Sequence, residues 1–153
     1  MAHPYLARRP PKTTGREEFG EMFLGEFMAQ GRKLKLNDED LVATAMAFTA
    51  ESIADSYRRF VFPKLKCNDL PKLQIILGGG GVKNPALVRM LVERIGVGTL
   101  CKHEDFGLDS SAKESLAFAI MAHETLLGQP SNVPSVTGAR KAVVLGKIVP
   151  GRG

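Results

Sequence analysis

The fold of this chain is decided by residues 73–85, which read LQIILGGGGVKNP. Residues 73–77 are a short run rich in apolar side chains, and such a run before a glycine cluster predicts a buried strand. Four glycines follow. A helix is then predicted over residues 84–95, because Asn84 is a favoured N-cap and Pro85 suits the first helical position. A buried strand that turns through glycines into a capped helix is typical of α/β proteins.

The chain after this segment continues the alternation. A second strand is predicted over residues 99–103. Ser111 and Glu114 have the spacing of a capping box, which predicts a helix from there to about Leu127. A last strand is predicted over residues 142–149, AVVLGKIV. Apolar strands alternating with helices predict an α/β fold with helices packed on a small, mostly parallel sheet.

The chain before the glycine segment begins with prolines and then becomes helical. Residues 1–13 predict an extended lead-in, because each residue before a proline disfavours helix, and residues 14–153 then form one folded unit. Thr14 and Glu17 have capping-box spacing, so a helix is predicted to begin there. Its apolar residues recur at helical spacing, and Gly31 is predicted to end it.

A long helix is predicted to start at Asn37 or Asp38 and to run to about Phe62, where Pro63 stops it. One face carries Leu41, Ala45, Phe48 and Ser52, and a second, smoother face carries Ala43, Ala47, Ala50 and Ala54. A helix that is apolar on two sides is predicted to be buried on both, or to pack closely against a neighbouring backbone.

Composition excludes several classes of protein. The net charge is +5, but the basic residues are scattered, without the clustered stripe and interleaved aromatics of a nucleic-acid-binding surface. No apolar stretch approaches the roughly 20 residues of a membrane helix, and the first residues lack the apolar core of a signal peptide. We therefore expect a cytoplasmic protein without nucleic-acid or membrane partners. Cys67 and Cys101 are expected to be reduced thiols, because neither has a CxxC partner.

The four glycines, Gly78, Gly79, Gly80 and Gly81, predict a ligand-binding loop. Glycines between a strand and a helix let backbone N–H groups approach a nucleotide phosphate or ribose, and the helix start adds partial positive charge. A purely structural turn is the alternative, although two glycines would suffice for one. The spacing matches neither GxxxxGK[ST] nor a convincing GxGxxG dinucleotide fingerprint.

Four side chains outside the glycines are candidates for the site, each with a second interpretation. Lys83 either contacts phosphate or is solvated, and Arg16 either reaches a phosphate or substrate oxygen or only decorates a helical turn. Glu51 is either a buried functional carboxylate or a solvated one. Glu114 is either a site carboxylate or only the third residue of its capping box. The three histidines, which are expected to be inert, are His3, His103 and His123.

Six motifs then appear in an order that resembles one enzyme family. They are residues 11–19 (PKTTGREEF), 49–54 (TAESIA), 78–85 (GGGGVKNP), 107–109 with 114–119 (GLD and ESLAFA), 134–139 (PSVTGA) and 145–146 (LG). This set is similar to the corresponding segments of the anhydro-N-acetylmuramic acid kinases and covers nearly the whole chain.

The resemblance implies a partial ribonuclease-H-like lobe of the actin-like ATPases, whose two lobes clamp ATP and a substrate. It implies ATP and Mg²⁺ as cofactors and a small 1,6-anhydro sugar as substrate, either anhydro-N-acetylmuramic acid in peptidoglycan recycling or levoglucosan. By the same resemblance, Gly78 to Gly81 and Asn84 lie along the nucleotide, and Glu114 faces the Mg²⁺–phosphate region.

The chain also departs from this family. Residues 109–115 read DSSAKES where the family has DGDAXEA, so a serine replaces the second aspartate and the sugar is left open. The family's GTSXDG phosphate loop and its DTGPGN-like segment with the aspartate base do not occur. We therefore expect the carboxy-terminal portion of a kinase, inactive alone, with an exposed sheet edge suited to homo-oligomer formation. A stand-alone nucleotide-binding module and an interaction protein remain the alternatives.

Overall fold

The computed structural model describes residues 3–151. Over this range the α-helices are α1 Pro4–Ala7, α2 Arg16–Phe19, α3 Glu21–Lys33, α4 Asp38–Ser56, α5 Pro85–Ile95, α6 Lys113–Leu126 and α7 Pro134–Thr137. The strands are β1 Gln74–Leu77 and β2 Thr99–Lys102. A π-helical turn covers Tyr57–Val61, and short 3₁₀ segments cover Phe62–Lys64, Cys67–Lys72, Gly80–Lys83 and His103–Phe106.

The two strands form a small parallel sheet. Ile75 lies opposite Leu100, and Leu77 lies opposite Lys102. Because α5 connects them, β1, α5 and β2 form the β-α-β unit that parallel pairing requires. Both strands lie within one residue of their predicted bounds, so the predicted α/β class with a small parallel sheet is confirmed.

The core lies between α4, α5 and β1. Ala50 and Ala54 of α4 are completely buried against Ile75, Leu91 and Ile95. Because alanine adds only a methyl group, the two helices can approach closely at this contact. The smooth face of α4 therefore packs as predicted from Ala50 onward, whereas its other face lines an open cavity described below.

The predicted cap at Asn84 is confirmed, and Asn37, where the long helix was predicted to begin, also caps its helix. The side-chain oxygen of Asn37 accepts a hydrogen bond from the Asp40 amide at 2.7 Å, and that of Asn84 accepts one from the Ala86 amide at 3.0 Å. The α-helical part of the long helix ends at Ser56, earlier than predicted. The chain continues through the π-helical turn and a 3₁₀ turn that contains the expected stop, Pro63.

The prediction of one helix from Thr14 to Gly31 is wrong at both ends. The first turn has Gly15 as its N-cap without a side-chain bond, and the helix breaks at Gly20 before continuing to Lys33. Gly31 is buried, and a Cβ built there would lie 2.1 Å from Cδ2 of Leu41. This glycine therefore serves close packing against α4, and Lys35, with a φ of 58°, adopts the left-handed conformation after the helix end.

The second predicted capping box does not form either. The N-cap of α6 is Ala112 and makes no side-chain cap bond, so Glu114 is not the partner of Ser111. Instead, the Ser111 amide donates to Oδ1 of Asp109 at 2.7 Å. An aspartate that bonds the backbone two residues on forms a turn of its own, and this turn replaces the capping box.

The strand predicted over residues 142–149 is absent from the described structure. Its backbone is bonded by side chains: Asn132 accepts from the Val143 amide at 2.6 Å and donates to the Lys141 carbonyl at 3.1 Å. The hydroxyl of Thr125 in α6 donates to the Leu145 carbonyl. These polar contacts fix the segment beside α6 instead of beside a strand.

The predicted extended lead-in contains one helical turn. His3 caps α1 through Nδ1, and Arg59 donates to the carbonyl of Leu6 at 2.8 Å and to that of Ala7 at 3.3 Å. The lead-in is therefore fastened to the chain after α4. Within residues 3–151, no helix has the combined length and hydrophobicity needed to cross a bilayer.

Candidate functional site

The glycine loop lies at the carboxyl end of β1. Gly79 has a φ of 85°, a conformation that side chains disfavour, so glycine is required at this point of the turn. Residues 80–83 form a single 3₁₀ turn. It is closed by the Val82 amide donating to the Gly79 carbonyl at 3.3 Å and by the Asn84 amide donating to the Gly81 carbonyl at 3.1 Å. The loop therefore runs directly into the first turn of α5.

The amides of the four glycines are not used by the fold. Among residues 3–151, no group accepts a hydrogen bond from the amide nitrogen of Gly78, Gly79, Gly80 or Gly81. Gly78, Gly80 and Gly81 are exposed, so a ligand can reach this backbone. Consecutive unpaired N–H groups before a helix N-terminus attract anions. The arrangement can bind a phosphate through the backbone.

His103 forms one side of the loop. The register of the sheet places Gly78 and His103 just beyond the partners Leu77 and Lys102. A Cβ built on Gly78 would lie 2.1 Å from Cε1 and 2.6 Å from Nδ1 of His103, so the ring occupies the space that a side chain at Gly78 would need. Nδ1 is buried and has no hydrogen-bond partner in the described range.

No role for His103 follows from the sequence pattern used above. A usable signal was present, because this residue is the last one of the strand predicted over residues 99–103. Side chains at the carboxyl ends of parallel strands meet at the edge where ligands bind.

The side chain of Asn84 is already hydrogen-bonded within the described fold, whereas that of Lys83 is not. Oδ1 of Asn84 accepts from the amides of Ala86 and Leu87, and Nδ2 contacts Sδ of Met46 at 3.2 Å. The carboxamide is thus engaged by α4 and α5. Lys83 is exposed and forms no ion pair or hydrogen bond through its side chain within residues 3–151, so its ammonium is available to an anion at the loop.

Glu51 lies away from the glycine loop. Its carboxylate pairs with Arg58 and, at 3.4 Å, with Nε of Arg94. Arg94 is near the end of α5, whereas the loop precedes its start, roughly 14 Å along a helix that rises about 1.5 Å per residue. The structure gives Glu51 the role of joining α4 to α5 and does not bring it to the loop.

Arg16 lies at an open cavity of about 1180 Å³. The cavity walls are mainly apolar and include Phe19, Phe23, Phe27, Phe48 and Tyr57. Arg16 forms no ion pair within the described part of the chain. It stands free at the border of this cavity.

Lys12 is a second cation at the same cavity. Its ammonium lies 4.7 Å from the ring centroid of Tyr5 and 5.4 Å from that of Phe60. Burial, followed by the nearby Arg59 guanidinium, lowers the pKa of Lys12. A lysine over two aromatic faces gains cation–π attraction, which offsets part of its lost hydration.

Glu114 is exposed in the first turn of α6, and residues 3–151 contain no group of three potential metal ligands. The loop before α6 is instead organised by Glu104, which accepts hydrogen bonds from the Ser110 amide at 3.1 Å and hydroxyl at 3.0 Å. Hydrogen bonds from its own amide and from Ser110 lower the pKa of Glu104. Glu114 is thus left as a single, accessible carboxylate.

Comparison with known proteins shows the family of this chain. A family model described as anhydro-N-acetylmuramic acid kinase matches residues 1–151. Proteins of that name from Bacillus cereus and from Caldanaerobacter subterraneus subsp. tengcongensis are 47% and 42% identical to this chain, over 152 and 144 residues. The alignments cover 97% and 94% of this chain but only 37% and 35% of the two relatives. The chain therefore spans a little more than a third of the curated relatives it matches.

Proposed function

Because the chain belongs to the anhydro-N-acetylmuramic acid kinase family, we propose that it is the nucleotide-binding portion of an ATP-dependent kinase acting on a 1,6-anhydro sugar. The observation that carries this proposal is the run of unbonded, accessible amides from Gly78 to Gly81 before the start of α5. A stand-alone nucleotide-binding module would use the same amides, and an interaction protein would use the exposed apolar surface described below. The family match favours the kinase over both.

ATP binds at the glycine loop in this proposal. The amides of residues 78–81 hydrogen-bond phosphate oxygens, and the N-terminus of α5 adds partial positive charge. The Lys83 ammonium supplies a full charge beside them. Asn84 contributes by holding the first turn of α5, because its carboxamide already caps that helix. The lobe adopts the actin-like ATPase architecture, in which a nucleotide lies at such a loop.

Glu114 is the proposed residue of this chain for Mg²⁺, which would accompany the bound nucleotide. Magnesium in kinases keeps several waters and takes only one or two protein carboxylates, with phosphates completing its shell. Glu114 fits that role as a lone, exposed carboxylate that forms no ion pair within residues 3–151. When bound, the metal would neutralise charge on the transferred phosphoryl group, and Glu114 would be the residue of this chain that holds it.

The sugar is anhydro-N-acetylmuramic acid or levoglucosan, and its anhydro ring is opened by water as the phosphoryl group is transferred. Arg16 is a candidate to reach a substrate or phosphate oxygen, since its guanidinium is not engaged elsewhere in the described range. Glu51 is the weakest of the sequence candidates, because two arginines already pair with it. The proposed location is the cytoplasm.

This chain alone binds nucleotide but does not transfer phosphate. Phosphoryl transfer needs groups from both sides of the cleft and a base that accepts the proton of the nucleophile. The sequence contains neither a GTSXDG segment nor a DTGPGN-like one with its aspartate. The missing parts must come from additional polypeptide.

The apolar surface supports association with further polypeptide or a second copy. Leu116, Phe118 and Ile120 of α6 are 44%, 67% and 53% exposed. β1 and β2 pair only with each other in the described range, so each has an open edge. Such edges and apolar patches are interaction surfaces, and a homo-oligomer through the sheet edge is part of the proposal.

Calorimetric titration with MgATP tests the nucleotide site. Gly80→Val places a side chain where the structure leaves open space, since a Cβ at Gly80 has no neighbour within 4 Å. The fold should tolerate it while the added methyl groups obstruct phosphate approach, and we expect binding to weaken about ten-fold or more.

The matched control is Gly25→Val. A Cβ at Gly25 also has no neighbour within 4 Å, but Gly25 lies in α3. Unchanged MgATP affinity in this control, together with weakened binding in Gly80→Val, supports the proposal. Equal affinity of the two variants would overturn the assignment of the nucleotide to the loop. Absence of binding to the wild-type chain would overturn the proposed function and favour an interaction protein.

A further inference from the structure

We propose that His103 is a ligand-contacting residue of the glycine-loop site and that its Nδ1 atom donates a hydrogen bond to a phosphate oxygen of the bound nucleotide. This inference rests on the proposed function and deepens it by adding a side-chain donor to a site otherwise made of backbone amides. The inference depends on the contact between Gly78 and His103, which are 25 positions apart in the sequence.

The sheet brings these segments together. Leu77 and Lys102 are the last paired residues of β1 and β2, so Gly78 and His103 both begin the edge beyond the sheet. In open parallel sheets, ligands bind beyond the carboxyl ends of the strands. His103 therefore lies at the same edge as the free amides.

The imidazole is held against the loop itself. A Cβ at Gly78 would approach three ring atoms of His103: Cε1 at 2.1 Å, Nδ1 at 2.6 Å and Nε2 at 3.1 Å. The ring edge thus packs on the backbone of Gly78, the first residue of the glycine loop.

Nδ1 has an unmet hydrogen-bond requirement. It is buried, and no group in residues 3–151 bonds it. A buried polar atom without a partner is unfavourable, and such atoms are rare in native proteins. A phosphate oxygen is an acceptor only, so it pairs with the tautomer or cation that carries a proton on Nδ1. A bound polyphosphate would satisfy this atom.

The test combines affinity with a spectroscopic signal on the 153-residue chain. The Cε1–H resonance of His103 is followed during titration with MgATP and, separately, with Mg²⁺ alone. MgATP affinity is measured calorimetrically for wild type, His103→Phe and His103→Asn. Phenylalanine keeps the planar ring without a donor, whereas asparagine keeps a polar group near the Nδ1 position. His123→Phe is the control, because His123 is exposed on α6.

We expect MgATP, but not Mg²⁺ alone, to shift the His103 resonance. His103→Phe should weaken MgATP binding about ten-fold, because it removes a charge-assisted hydrogen bond. His103→Asn should bind MgATP more tightly than His103→Phe but less tightly than wild type. The His123 variant should bind as wild type does.

Normal MgATP binding with an unmoved His103 resonance would overturn this inference and leave the proposed function intact. This resonance is read in the wild-type chain, so the outcome does not depend on the folding of any variant. Absence of MgATP binding to wild type would overturn the proposed function and, with it, this inference.

Discussion

Replacing Gly78 with alanine probes the contact between the glycine loop and β2. No positive φ is involved at Gly78, so the whole effect comes from the His103 ring, whose Cε1 would lie 2.1 Å from the new methyl group. Ordinary contact requires about 3.4 Å or more, so the ring must move by more than 1 Å. Forcing such a shift in a packed site costs about 1–3 kcal/mol, and we expect about 2 kcal/mol less free energy of unfolding.

A double-mutant cycle isolates this clash. His103→Ala removes the ring, and Gly78→Ala should then be close to neutral, or slightly stabilising because alanine restricts the unfolded chain. The expected coupling energy is thus about 2 kcal/mol, measured by urea unfolding followed by far-ultraviolet circular dichroism. If Gly78→Ala costs the same with and without the His103 ring, the packing of the ring on the loop is refuted.

Three further predictions concern the core, the helix cap and one carboxylate. Leu91→Ala should lower the free energy of unfolding by about 2–5 kcal/mol because Leu91 is 4% exposed, whereas Val92→Ala, at a position 50% exposed, should change it by less than about 1 kcal/mol in urea unfolding. Asn84→Ala removes two cap bonds of α5 and should cost about 1 kcal/mol in the same assay. Ser110→Ala should raise the pKa of Glu104 toward its ordinary value of 4.5, read by carboxyl ¹³C chemical shifts. Because the folded pKa of Glu104 is depressed, its stabilising effect is present above pH 4.5 and is lost as the pH falls through the folded pKa. A pKa of Glu104 that does not change in the Ser110→Ala variant would contradict the role of Ser110.

Some predictions of secondary structure that depended on neighbouring residues succeeded, and others failed. The strand predicted over residues 73–77, the cap at Asn84 and the start of the long helix near Asn37 follow from contacts within a few positions of the chain. The capping boxes at Thr14 and Ser111 had the same kind of signal and failed. At Ser111 the reason is visible, because the Asp109 carboxylate takes the amide in a turn of its own.

The predictions about the candidate site also differed between residues that are close in the sequence and residues that only packing brings together. The glycines, Lys83 and Asn84 lie within seven consecutive positions, so their proximity was certain from the sequence. Glu51 was predicted from its helix alone, and its engagement by Arg58 and Arg94 depends on how α4 crosses α5. His103 received no role, because its contact with Gly78 joins residues that only the sheet register brings together.

The sequence by itself determined the family, the strand–glycine–helix unit and the absence of side chains over residues 78–81. Each of these features depends on residues that are adjacent in the sequence, where backbone geometry and short-range hydrogen bonds determine the structure. Tertiary structure alone decided that the amides of the loop remain unbonded, that Gly31 packs on Leu41 and that residues 142–149 lie beside α6 without forming a strand. These outcomes depend on groups far apart in the chain that compete for the same space and the same hydrogen-bond partners, and that competition is resolved only when the helices and the sheet pack together.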